Sequence, residues 1–212
     1  MKVIKLCLCL FFLTFPAQAM VLLIDGDRGF NFENEYKEAL QLAHQEFNYW
    51  DIAKKGTPPL IHLERHPLVV WITDGSQTSF SFEEAHTLAA YLQKKGKVII
   101  LGYNTGYALH DLWLDQAFFG FEYRGSTLDP VEIQQYTGQK NLLAKTDHVE
   151  VTRDGMTLYQ IDGGPHNPLF GKPCAVKTMK TTWFGFDLTD IPTPFDRAEL
   201  LDKAILDLIP QH

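Results

Sequence analysis

The polar residues able to do chemistry are concentrated where apolar runs stop. Asp25 and Asp27 lie in a D-G-D triplet directly after Val21-Leu22-Leu23-Ile24, Asp74 follows Leu68–Thr73, and Asn104 and Thr105 interrupt a G-Y-N-T-G turn after Val98–Leu101. Hard oxygen donors of this kind, if brought together, suit Mg²⁺ or Ca²⁺. The same residue types also form turns and cap helices without any ligand. Asp25, Asp27 and Asp74 are therefore the candidate metal-ligating residues, and with Asn104 and Thr105 the candidate ligand-binding set. The helix start after Asn104 adds backbone N–H groups, a generic anion site. Two histidines are candidate catalytic residues. His110 falls one turn into the helix that follows Asn104, with Asp111 beside it, and His166 lies in a Gly/Pro-rich loop, G-G-P-H-N-P. Cys174, with no basic neighbour, reads as a packed thiol.

These residues need a scaffold, and the pattern supplies one. Val21–Ile24, Leu68–Thr73, Val98–Leu101 and Thr181–Phe186 are apolar runs with no polar face, as in strands covered on both sides. Between them, residues 34–47 carry apolar positions at helical spacing, and Ser81 and Glu84 have capping-box spacing before a helix that ends near Lys95-Gly96. Asn48–Ile52 reads as a short second strand, and Thr193 with Pro194 opens a final helix. Alternation of strand and helix implies a parallel sheet with right-handed crossovers. The expected fold is a three-layer α/β sandwich with a mostly parallel flavodoxin-like sheet. A 2-1-3-4 strand order would bring Asp25, Asp27, Asp74 and Asn104 to the topological switch point, where open α/β sheets bind ligands. Asp154-Gly155, flanked by Val149, Val151, Leu158 and Ile161, predicts a small β-hairpin insertion. Residues 118–143 carry no clear period.

Residues 1–19 read as a signal peptide: Lys2 and Lys5, an apolar stretch, then P-A-Q-A. The apolar stretch is too short for a stable membrane anchor. The expected mature chain, residues 20–212, is one domain in the periplasm or outside the cell. Losing two lysines and no acids takes the net charge from −7 to −9, which argues against nucleic acid as a partner. Cys174 is then the only cysteine, so no internal disulfide is expected.

Four segments in order, VLLIDGD, YWDI, KVIILGYNTGY and TTWFGFDLTDI, resemble the class I glutamine amidotransferase-like superfamily, in particular exported members of it. The resemblance implies a flavodoxin-like α/β fold and a sharp strand–turn–helix elbow at Asn104. In the active family that elbow reads G-x-C-x-G, and a His follows the last strand. Here Asn104 stands in place of the Cys, and the chain reads Phe186-Asp187-Leu188 where the His is expected. A carboxamide cannot be activated as a thiolate is. The expectation is a non-catalytic exported domain that binds a small polar ligand or a periplasmic protein, with no cofactor beyond a candidate Mg²⁺ or Ca²⁺. The alternative is a hydrolase that uses carboxylates with a divalent cation, or His110 with water, on a small polar substrate.

Overall fold

A computed structural model describes residues 21–135 and 141–209, and the signal-peptide reading of residues 1–19 lies outside them. The chain opens with β1 (Val21–Gly26), α1 (Glu33–Leu42), β2 (Phe47–Asp51) and two single turns, α2 (Ile52–Lys55) and α3 (Leu60–Leu63). It continues through β3 (Leu68–Thr73), α4 (Phe82–Gln93), β4 (Lys97–Leu101) and α5 (Thr105–Asp111). After a π-helical turn at Asp115–Phe119 come β5 (Phe121–Ser126), β6 (Val131–Gln135), β7 (Asn141–Ala144), β8 (Asp147–Val151) and β9 (Met156–Ile161). The chain closes with β10 (Pro173–Lys177), β11 (Thr181–Phe184) and α6 (Pro194–Leu208).

Unbroken apolar runs produce a sheet covered on both faces. Val21 and Leu23 of β1, Val70 and Ile72 of β3, and Ile99 and Leu101 of β4 bury against α1 and α6. Their alternates, Leu22, Ile24, Val69, Trp71, Val98 and Ile100, bury on the other face with α4, α5, β5 and β8. The period of two in a strand sends each run into two separate cores, which yields the three layers. Two helix starts form as their sequences dictate: Ser81 and Glu84 complete the capping box on α4, and Thr193 caps α6 with Pro194 at its first position.

Among the described residues the main sheet has nine strands in the order β2-β1-β3-β4-β11-β10-β9-β6-β7. The first five are mutually parallel, so the 2-1-3-4 order holds. The remaining four run antiparallel, which makes the sheet mixed rather than mostly parallel. The cause is connection length: a parallel pair needs a crossover of roughly a dozen residues, and only Thr178–Lys180 join β10 to β11.

The expected hairpin across Asp154-Gly155 is also corrected. β8 pairs with β5 in a separate two-stranded sheet, while β9 pairs with β10 and β6. Val149 belongs to the core on one face and Tyr159 and Ile161 to the core on the other, so the two strands part at the turn. Gly155 lies against the backbone of Gly120 with no room for a Cβ, and Thr152 N–H donates to Gly120 O at 2.9 Å. α1 ends at Leu42 instead of Phe47, because His44 takes a left-handed conformation (φ 54°) that turns the chain into β2. β5, β6, β7 and β10 fill stretches where no strand is expected from the sequence.

Candidate functional site

The elbow is built as its glycines require. β4 ends at Leu101, and Gly102 (φ 152°) turns the chain close over Thr73, where any side chain would collide. Asn104 follows in the left-handed region (φ 62°, ψ 0°), which Asn tolerates better than most residues. Its side chain does not face an open pocket: Nδ2 donates to the carbonyl of Gly75 at 2.8 Å and ties the elbow to the loop after β3. Thr105 is fully buried, donates to Gly102 O at 2.6 Å and accepts from Trp183 Nε1 at 2.9 Å. Both roles of its hydroxyl are taken within the protein, which removes Thr105 from the ligand-binding set.

The N–H groups of the elbow are occupied by a residue of the chain itself. Asp147, at the start of β8 and fully buried, accepts from Asn104 N–H at 3.0 Å and from Gly106 N–H at 2.7 Å. Ser126 Oγ donates to the same carboxylate at 2.6 Å. The chain thus supplies its own anion to the position where a helix start would receive one. Burial pushes the Asp147 carboxyl up to about 7, against the opposing pull of these three donors. Gly106 has a steric reason here as well: a Cβ would lie 3.0 Å from Asp147 Oδ2 and 3.0 Å from the Tyr123 ring. Asp147 follows a featureless stretch of sequence, and its only trace is the small residue at position 106 that makes room for it.

The acidic candidates part company in the structure. Asp27 is buried and organises its own loop, accepting from Gly29 N–H and Phe32 N–H at 2.7 Å each. Asp74 accepts from Ser76 N–H, Ser76 Oγ and Ser79 Oγ at 2.8–3.0 Å, and Arg28 Nε lies 3.5 Å from its other oxygen. Arg28 also reaches Glu84, and so clamps the β1–α1 loop onto the start of α4. Asp25 accepts from Tyr49 Oη and from Asp27 N–H, and burial lifts its carboxyl to about 6. Among the described residues, the carboxylates that come within reach of a common point are Asp25, Asp27 and Glu33. Asp74 is outside that group, which corrects the metal set expected from sequence. Tyr49 is half-buried and serves as a donor to Asp25.

Asp187, which stands where the resemblance expects a His, is half-buried and caps the short turn Leu188–Asp190. Burial, with Asp190 nearby, raises its carboxyl to about 7, and Tyr103 N–H donates to it. His166 is exposed on the loop between β9 and β10, three strands from β4 along the sheet. His110 has a defined partner, and it is not Asp111: Nδ1 lies 2.7 Å from Oδ2 of Asp115. The helix stops at Leu112, Trp113 takes a left-handed conformation, and the π-turn swings Asp115 back under the imidazole. Spacing on a regular helix would have missed this pair. Cys174 is fully buried on β10, where burial pushes its thiol well up, as a packed thiol requires.

Sheet order, crossover helices and the elbow after β4 together define a three-layer α/β fold whose first five strands are parallel. Among solved structures, the chain is similar to a ThuA-like protein from Bacteroides uniformis ATCC 8492, with a TM-score of 0.60 and 10% identity over 90% of this chain and 91% of that one. It is also similar to the N-terminal domain of mmIFT52, with a TM-score of 0.58 and 12% identity over 90% of this chain and 98% of that one. At these identities the likeness is one of fold. No protein-family model matches the sequence, and no curated protein matches it.

Proposed function

We propose that this chain is an exported, non-catalytic domain of amidotransferase-like fold that binds a partner. The observation that carries the reading is the Asp147 carboxylate seated on the N–H groups of Asn104 and Gly106. Acyl-transfer chemistry at such an elbow needs a nucleophile and unoccupied donors for the developing oxyanion. Here the central residue is Asn104, its amide is spent on Gly75, and an internal carboxylate holds the donors. Binding then falls to the loops at the carboxyl edge of the sheet. Phe30, in the loop after β1, and Phe82, opening α4, are 62% and 81% exposed, and Arg28 joins the two segments. Exposed aromatics held on a fixed edge favour a periplasmic protein over a small polar ligand as the partner.

A second reading, hydrolysis with water activated by His110, is favoured by one observation, the Asp115 carboxylate that orients the imidazole. One assay separates the readings. Residues 20–212 are incubated with L-glutamine, L-asparagine and p-nitrophenyl esters, beside Asn104→Ala and His110→Ala variants. The non-catalytic reading expects no product that depends on either side chain. Turnover lost only in His110→Ala favours the hydrolase, and turnover lost in Asn104→Ala contradicts the proposal.

A further inference from the structure

A depression of about 540 Å³ opens where α5 ends, lined by His110, Asp111, Trp113, Asp115, Gln116 and Ala117. We infer that it is a binding site for a cationic N–H group, an alkylammonium or a guanidinium, seated on the Trp113 indole between Asp111 and Nε2 of His110. The inference does not depend on how the elbow is read. The volume falls within the range of small-molecule sites, and four features select the charge.

Trp113 is 84% exposed and has φ 61°. A bulky residue enters the left-handed region at a cost, and this backbone turn presents the indole to solvent, away from the core. The His110 imidazole is held in place. Its Nδ1 bonds Asp115, which is 2% exposed and itself fixed by Gln116 N–H at 2.8 Å and Tyr123 N–H at 3.3 Å. In the tautomer that donates from Nδ1 to Asp115, the acceptor is Nε2, on a side chain that is 45% exposed. Asp111 is exposed and forms no ion pair among the described residues. The lining contains neither Lys nor Arg.

The inventory is therefore acceptor-rich: a carboxylate, an imidazole nitrogen and the Gln116 carbonyl against one amide NH₂ and one indole N–H. An anion would meet no positive charge. A cation over an indole face gains from the ring quadrupole, and an ammonium or guanidinium brings the N–H donors these acceptors lack. The chain's net charge of −7 adds long-range attraction of the same sign.

The test is calorimetric titration of the chain at low ionic strength, with Trp fluorescence recorded in parallel. The probes are spermidine, N-acetylargininamide and a hexa-arginine peptide, with glucose and N-acetylglutamate as counter-probes. Saturable binding of the cations is expected, weakened roughly tenfold in each of Trp113→Asn and Asp111→Asn. Asn tolerates the left-handed backbone and both side chains are exposed, so an unchanged melting temperature certifies that the variants are folded. Equal binding of spermidine and N-acetylargininamide identifies free cations as the ligand. Binding of the peptide alone identifies a side chain presented by a protein, and either result supports the site. No saturable cation binding, equal binding of glucose or N-acetylglutamate, or affinity untouched by both substitutions would overturn it.

Discussion

Replacing Asp147 by alanine is expected to destabilise the domain by about 3–5 kcal/mol, far beyond a typical point mutation. The substitution removes the acceptor of the half-buried Asn104 N–H and the buried Gly106 N–H, and leaves the Ser126 hydroxyl only Tyr123 Oη as partner. Unpaired buried polar groups carry their full desolvation cost, about 1–3 kcal/mol each, because water cannot reach them. Asp147→Asn should fall in between, since one amide oxygen can serve only part of the donor set and its NH₂ opposes one backbone N–H. Urea unfolding followed by far-UV circular dichroism measures both. A loss below about 1 kcal/mol for the alanine variant would mean that the elbow does not depend on this carboxylate.

The second large effect is an inverted pH dependence. Asp147 and Asp187 are raised to about 7 and Asp25 to about 6 from the ordinary 3.8, in each case chiefly by burial. The unfolded chain releases these protons near pH 4, whereas the folded chain keeps them until pH 6–7. Within that window the native state binds more protons, so stability falls as pH rises and levels off above about pH 7. For Asp147 alone, about three units at 1.36 kcal/mol each sets a ceiling of about 4 kcal/mol. The melting temperature should therefore climb between pH 8 and pH 5, by about 2–4 °C for every kcal/mol gained. Asp147→Asn should flatten the slope by removing one of the three titrations. A melting temperature that falls as pH is lowered through this range would show that these carboxyls are ionised in the folded protein.

Most of the scaffold was legible because its signals are local. β3 runs from Leu68 to Thr73 as its apolar stretch does, the capping box at Ser81 starts α4, and Pro194 opens α6. The 2-1-3-4 order of the first four strands, expected of a flavodoxin-like sheet, is the order observed. What escaped was set by contacts distant in sequence. β5 and β8 pair across a gap that no turn signal spans, and the buried position that opens β8 is the polar Asp147. β10 shows only Cys174, Ala175 and Val176 as its apolar run, too short to stand out beside a Gly/Pro loop.

The site was legible as a place more than as a set of roles. Asn104 and the acids after β1 and β3 do lie at the carboxyl edge, as strand order requires. Turn chemistry then accounts for Asp27 and Asp74, whose oxygens are engaged by their own loops. Asp147 is separated from Asn104 by 43 residues of weak pattern, so no spacing rule could join them. Asp115 was hidden differently, since the break at Trp113 voids the helical register that would place it relative to His110.

The most direct test of the account records the backbone amide resonances of Asn104 and Gly106 in an isotopically labelled chain while acetate, phosphate or L-glutamate is added. If Asp147 is the resident anion, neither amide moves with added anion, and both shift together with pH at a midpoint near 7. A saturable shift of both amides with any of these anions would show that the elbow is an open site, and the non-catalytic reading would fall with it.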